Sequence, residues 1–209
     1  TAAFVSGPYL RSEYGYDRGF DLYDQSLAVT APAVSREGIS SPQLIDAALE
    51  WLSAWRAESR RSPFFLFLHL WDVHYDFMPP PPFDTLFDPD YSGTVDGRGI
   101  EGTGSAISAP DLHHIIALYD GEIRFTDQEL GRLFARLRAW NLLEDTLIVV
   151  TADHGEEFFE HREFGHGNSM RNKLLHVPWI MRLPGDAFGG RRVEAPASLV
   201  DVLPTIADL

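Results

Sequence analysis

Asp153 and His154 set a carboxylate beside an imidazole, directly after the apolar run Thr146-Leu-Ile-Val-Val-Thr151. Two more histidines, His161 and His166, follow within the glycine-punctuated stretch from Thr151 to Gly167. One hard oxygen and one imidazole nitrogen suit several divalent metals, and suit calcium only where carboxylates fill the remaining positions. An Asp-His pair alone is equally a turn Asp beside a surface His. The strand before it and the histidines after it favour the metal reading, because loops at strand ends carry the chemistry of α/β proteins. His166 stands between Gly165 and Gly167, where the backbone can turn tightly and a ligand can approach closely. It can protonate a leaving oxygen or hold an anionic one. His161, between charged residues, reads as solvated.

His74 follows a second apolar run, Phe64 to Leu70. If the two runs are neighbouring parallel strands, His74 faces the same sheet edge as Asp153. His69, inside that run, reads as a core residue. Asp72 is either an orienting partner for His74 or a turn residue. Glu156, Glu157 and Glu160 read as a solvated face, and nothing in the sequence aims Arg171 or Lys173 at the site. No nucleophile stands out: there is no Cys, no Gly-x-Ser-x-Gly elbow and no phosphate-cradling loop ending in Lys-Ser or Lys-Thr.

The elements that must position these groups alternate. Ala2 to Ser6 reads as a strand and 7–40 as loop. Helical spacing of Leu44, Ile45, Ala48, Leu49, Leu52 and Trp55 predicts a helix over 42–60, with Ser40 or Ser41 as N-cap. Phe64 to Leu70 has the unbroken apolar character of a strand buried on both faces. Residues 83–109 read as a surface excursion. Asp111 to Ala139 reads as one long helix, or two broken near Gly121, with Ile115, Leu118, Tyr119, Ile123, Leu130, Leu133, Phe134 and Leu137 as its buried stripe. Strands over 146–151 and 179–183 and a helix from Leu199 complete the order. This alternation predicts an α/β fold with a mainly parallel sheet flanked by helices, truncated at both ends.

The 209 residues have the length of one large domain. A net charge of −14, from 31 acidic against 17 basic residues, excludes a general nucleic-acid surface but not an anionic small substrate held by a metal and local cations. No apolar run is long enough to span a membrane. No charged-then-apolar segment opens the chain, and any secretion signal would precede Thr1. Compartment and oligomeric state have no signature here. The chain opens in a strand without an initiator Met and stops at the start of a helix, as a fragment of a longer protein would.

Taken together, the motifs resemble the sulfatase family of the alkaline phosphatase superfamily. Thr1-Ala-Ala-Phe-Val-Ser and Gly19-Phe-Asp-Leu-Tyr-Asp24 are similar to its segment after the nucleophile region. Phe67-Leu-His-Leu-Trp-Asp-Val-His74 through Phe83 resembles its loop of histidine, aromatic and prolines. Tyr119-Asp-Gly-Glu-Ile and Asp127-Gln-Glu-Leu-Gly-Arg132 resemble its long-helix signature. Thr151-Ala-Asp-His-Gly-Glu156, Gly165-His-Gly167 and His176 to Gly185 resemble its metal and second-histidine region, and Asp201-Val-Leu-Pro-Thr205 its late helix. The resemblance implies that 1–209 is part of a sulfatase-type catalytic domain without its nucleophile segment, a Cys/Ser-x-Pro-x-Arg motif converted to formylglycine. It implies that Asp153 and His154 bind a divalent metal, usually calcium. It gives His74 a contact with the sulfate or leaving oxygen, and His166 a leaving-group role. The intact protein would hydrolyse sulfate esters, and this chain alone would be inactive. Asp-His at 153 and 154 also fits relatives acting on phosphonate monoesters or phosphodiesters, or transferring phosphoryl groups, with manganese or zinc. A non-catalytic metal-binding remnant is the third reading.

Overall fold

The first strand, β1 (Ala2–Val5), is buried along its whole length, with Ala2 and Ala3 at 0% exposure. It lies between β2 (Leu22–Asp24) and β3 (Leu66–His69), parallel to both, with Ala2 opposite Leu22 on one side and Leu66 on the other. Small and apolar side chains suit a central strand covered on both faces. The computed structural model describes residues 1–28, 39–58, 62–100, 107–167 and 169–209. They form two units, Thr1–Arg136 and Leu137–Leu209, each with its own architecture.

In the first unit, α1 (Ser41–Glu58) covers one sheet face. Leu44 and Ala48 pack with Ala2 and Phe4, and Leu66, Leu68 and Trp51 border that cluster. Burial of Leu44, Ile45 and Leu52, each at 0–2% exposure, contributes roughly 2 kcal/mol apiece. Residues 59–61 of the expected helix lie outside the described residues. β3 is not buried on both faces within its unit. Leu66 and Leu68 turn toward α1, while Phe65 and Phe67 remain half exposed, with Phe20 beside both. The sequence shows no alternation there because the exposed positions are also aromatic. β2, only three residues long, lies inside a stretch expected to be loop.

The long helix α2 (Ala109–Ala139) is continuous through Gly121. Its buried face runs through Leu118, Glu122, Phe125, Glu129 and Leu133, so Ile123, expected in that stripe, is exposed. Arg132 joins the helices of this unit: it donates to Glu129, to Asp46 of α1 and to the carbonyl of Pro42. Part of the 83–109 stretch is anchored rather than a free excursion, since Phe83 and Ile100 are buried. Its residues 101–106 lie outside the described residues.

In the second unit, β4 (Ile148–Thr151) pairs antiparallel with β7 (Trp179–Arg182), Thr151 opposite Trp179. The parallel sheet of the fold is therefore the one in the first unit. Between β4 and β7 the chain has only a hairpin, β5 (Glu157–Phe158) with β6 (Phe164–Gly165), and the one-turn helix α3 (Asn172–Leu175). Without a long crossover helix the chain returns antiparallel. Past Ser198, whose amide donates to Asp201, a turn leads into α4 (Val202–Asp208), as expected from Leu199 onward. No helix among the described residues is long and apolar enough to cross a membrane.

Two glycines of α2 separate helix propensity from packing. A Cβ on Gly131 meets nothing within 4 Å, whereas one on Gly121 falls 2.4 Å from the Phe83 carbonyl oxygen and 2.9 Å from Pro79. Gly131→Ala is expected to stabilise by about 0.5–1 kcal/mol. Gly121→Ala is expected to destabilise by about 1–3 kcal/mol, because backbone must move. Urea denaturation of both variants measures the difference.

Candidate active site

His74 sits on the loop that leaves β3, and that loop is tied down along its length. Ser6, following β1, donates its hydroxyl to the His69 carbonyl at 2.9 Å and accepts the Trp71 amide at 3.1 Å. Gly7 has no room for a side chain there, since a Cβ would lie 2.5 Å from the His69 ring. Asp72 is buried and takes the amides of Ser40 and Ser41 at 2.6 Å each, plus the Ser40 hydroxyl at 2.7 Å. It therefore caps α1. Further on, Asp76 accepts the Ile100 amide at 3.1 Å, and buried Phe77 meets Tyr119 edge-on at 5.2 Å. The His74 ring stacks on Trp71 at 4.0 Å and leans on Tyr75 at 4.4 Å. Its Nδ1 lies 2.7 Å from the Tyr75 carbonyl oxygen. A carbonyl only accepts, so this bond protonates Nδ1 and places the lone pair of the neutral ring on Nε2.

The second unit brings Asp153, His154 and His166 together. The His154 amide donates to its neighbour's Oδ1 at 3.0 Å, and His154 Nε2 lies 3.8 Å from Asp153 Oδ2. The His154 Nδ1 donates to the Gly155 carbonyl at 2.9 Å, which again leaves the lone pair on Nε2, on the side of Asp153. Both side chains are accessible, at 37% for His154 and 76% for Asp153. One oxygen and one correctly oriented nitrogen can thus face a cation. Among the described residues no group of three or more His, Cys, Asp or Glu is arranged to hold a metal, so the pair could supply only part of a ligand set. The position of the pair follows from Gly155. Its amide donates to the Leu174 carbonyl at 2.8 Å, and a Cβ there would lie 2.0 Å from the Lys173 carbonyl oxygen. Only glycine lets this turn lie against α3.

The His166 ring packs on that of His154, centroids 4.0 Å apart. Its Nδ1 faces both carboxylate oxygens of Glu156 at 3.2 Å, and the Glu156 side chain is 5% exposed. Glu156 is thus a partner of His166 and not part of a solvated face. Glu157 departs from that expectation too. At 2% exposure it pairs with His161 and accepts from Arg171 at 3.2 Å, while Arg171 also reaches Glu163 at 2.8 Å. Glu160 takes the Phe158 amide at 2.6 Å and pairs with Lys173. Arg171 and Lys173 thus tie this hairpin together. A run of glutamates outside any periodic element gives no sign of which ones turn inward.

Comparisons with known proteins give these two units a family. The family model described as Sulfatase matches residues 3–209, and the chain belongs to the sulfatase family. Arylsulfatase K of Danio rerio is 34% identical over 127 residues, covering 61% of this chain and 23% of that protein. The multifunctional alkaline phosphatase superfamily protein PehA of Trinickia caryophylli is 31% identical over 112 residues, covering 53% of this chain and 22% of that protein. The solved phosphonate monoester hydrolase of Agrobacterium radiobacter superposes with a TM-score of 0.69 at 27% identity, covering 80% of this chain and 38% of that one. The chain spans about a fifth of the length of the curated relatives it matches. Members of the family generally depend on a divalent metal.

The Glu157 network yields a stability test. Glu157→Ala removes the buried partner that Arg171 and His161 share, leaving Arg171 with Glu163, and is expected to cost about 2–3 kcal/mol, less than a fully buried pair because Arg171 is partly solvated. Glu163→Ala removes only an exposed partner of the same arginine and is expected to cost less than about 1 kcal/mol. Urea denaturation of the two variants side by side checks the order.

Proposed function

We propose that these residues form part of the catalytic domain of a sulfate-ester hydrolase, in which Asp153 and His154 bind a divalent metal and His74 and His166 act at the sulfate or its leaving oxygen. The observation that carries this reading is the packing of His166 on His154, which puts a proton-carrying imidazole beside the metal-ligand pair. The family match supports sulfate as the substrate class. The 209 residues contain neither a Cys nor a Ser-x-Pro-x-Arg motif, so the nucleophile, a formylglycine, is assigned to sequence outside them.

The metal, when bound, neutralises charge developing on the ester oxygens. The donor set fits such an ion, since the carbonyl of Gly155 fixes the tautomer that turns His154 Nε2 toward Asp153. Calcium, which the family resemblance favours, needs further carboxylate oxygens; manganese or zinc accepts the imidazole more readily. His166 is held with Nδ1 on Glu156, so Nε2 is the atom that exchanges a proton with the leaving alcohol. His74, locked by the Tyr75 carbonyl and stacked on Trp71, donates to an ester oxygen from Nε2 when that nitrogen is protonated.

A second reading has its own support. The likeness to a phosphonate monoester hydrolase extends over 80% of the chain at 27% identity, so a phosphonate monoester or phosphodiester is the alternative substrate class.

In the intact protein, 4-nitrophenyl sulfate is expected to turn over faster than a phenylphosphonate monoester, and a reversed preference moves the assignment to phosphorus esters. The 209-residue chain is expected to show no turnover above its Asp153→Ala variant. Calorimetric titration of the intact protein with calcium, manganese and zinc ions is expected to show Asp153→Ala and His154→Ala each weakening the preferred ion at least about tenfold. Unchanged affinity in both removes them from the metal site.

A further inference from the structure

Glu122 is a buried ionisable group of the first unit that this chemistry leaves unused. It lies on the inner face of α2, 6% exposed, where the spacing of Leu118 and Phe125 calls for an apolar residue. Its Oε1 accepts the Met78 amide at 2.7 Å, and a hydrogen bond from the His74 backbone reaches the same carboxyl. Those two amides stand at the two ends of the turn from His74 to Met78. Its Oε2 is buried with no hydrogen-bond partner among the described residues. Beside it, Gly121 lets the backbone of Phe83 lie against the helix, where a Cβ would fall 2.4 Å from the Phe83 carbonyl oxygen.

We propose that Glu122 is a positioning residue, whose carboxyl clamps the amides of His74 and Met78 and so fixes the backbone that carries the His74 imidazole. The functional value of that clamp rests on the role of His74 proposed above, but the clamp itself is a property of the fold. Burial pushes the Glu122 carboxyl well above the ordinary carboxylate range, and the nearby carboxylates of Asp72 and Asp76 add to the shift against the opposing pull of the two amides. These two aspartates, both from the loop packed on α2, are the charged groups that reach it. Burial thus favours the neutral form of the clamp, in which Oε1 still accepts the Met78 amide.

The linkage has a definite sign. The folded state holds this proton more tightly than the unfolded chain, whose glutamate titrates near 4.5. The resulting stabilisation is complete below that value and is lost as pH rises through the folded-state value. A glutamine keeps the accepting oxygen and cannot ionise.

The test uses the 209-residue chain and its Glu122→Gln and Glu122→Ala variants. Amide exchange at His74 and Met78 and the His74 ring resonances are followed by NMR, and urea stability is measured from roughly pH 5 to pH 8. Glu122→Gln is expected to keep both amides protected and the His74 ring resonances in place. Glu122→Ala is expected to speed exchange at both amides about tenfold, as loss of an ordinary hydrogen bond does, and to shift the ring resonances. The folding equilibrium constant of the unaltered chain, relative to that of Glu122→Gln, is expected to fall with rising pH by up to about tenfold per unit. Unchanged protection in Glu122→Ala, or a ratio to Glu122→Gln that does not vary with pH, overturns the proposal. If Glu122→Ala does not fold, the Glu122→Gln exchange data and the pH series decide it. None of these readouts involves turnover or metal, so failure of the sulfatase reading leaves them standing, and failure of the clamp leaves metal binding at Asp153 intact.

Discussion

A carboxylate removed from water has to be met by donors or by positive charge. Around the histidines of this protein that requirement organises most of the architecture. Asp72 is the plainest instance. The first amides of a helix have no partner within it, and the helix dipole adds partial positive charge at the same end. By taking the amides of Ser40 and Ser41 and the Ser40 hydroxyl, Asp72 satisfies itself and starts α1 in one set of contacts. The exit of β3 is thereby bolted to the helix that covers the sheet, and the loop carrying His74 begins from a fixed point. Glutamine or serine at position 72 could accept some of these bonds but would not meet the dipole with charge.

The second unit meets the same requirement with side chains. Glu157 is surrounded by Arg171, His161 and Ser169, and Glu156 by the His166 ring. Each solution also does something for the fold or the site: Arg171 bridges to Glu163 across the hairpin, and Glu156 orients an imidazole. The net charge of −14 is therefore not all surface charge. Several acids face inward, and Arg171 and Lys173 are spent on acids of the hairpin, while the Asp153 and His154 pair stays accessible.

Helices α1, α2 and α4 and the strands β1, β3, β4 and β7 were legible in the sequence because apolar spacing is a local property. β2 was not, because a three-residue strand is made by its neighbour β1 rather than by its own composition, and neither the β5–β6 hairpin nor the one-turn α3 is long enough to show a period. The half-exposed face of β3 was hidden because aromatic residues occupy it. Asp153, His154 and His166 were legible as a group, since the segment that holds them is short and glycine bounds its turns. The roles of Glu156, Glu157 and Asp72 were not, because inward orientation depends on a partner distant in the chain, as Asp72 depends on Ser40. Glu122 left a trace: a glutamate in phase with Leu118, Phe125 and Leu133 breaks a helical stripe, and such a break marks a carboxyl with something to hold.

The histidines show how backbone geometry reaches chemistry. His74 and His154 each donate Nδ1 to the carbonyl of the residue that follows, Tyr75 and Gly155. The bond is local, so the ring is set by the turn itself, and the turn is set by what pins it. For His154 the pin is Gly155, whose backbone lies on α3 where no side chain fits. For His74 the pins are Asp72, Asp76 and Glu122, none adjacent to it in the chain. His166 takes a carboxylate in place of a carbonyl, and that carboxylate comes from the turn of His154, two residues on. One turn therefore sets two rings, so a displacement of Gly155 moves the His154 and His166 imidazoles together rather than one against the other, and two rings that share one anchor keep their relative geometry better than two that are anchored separately.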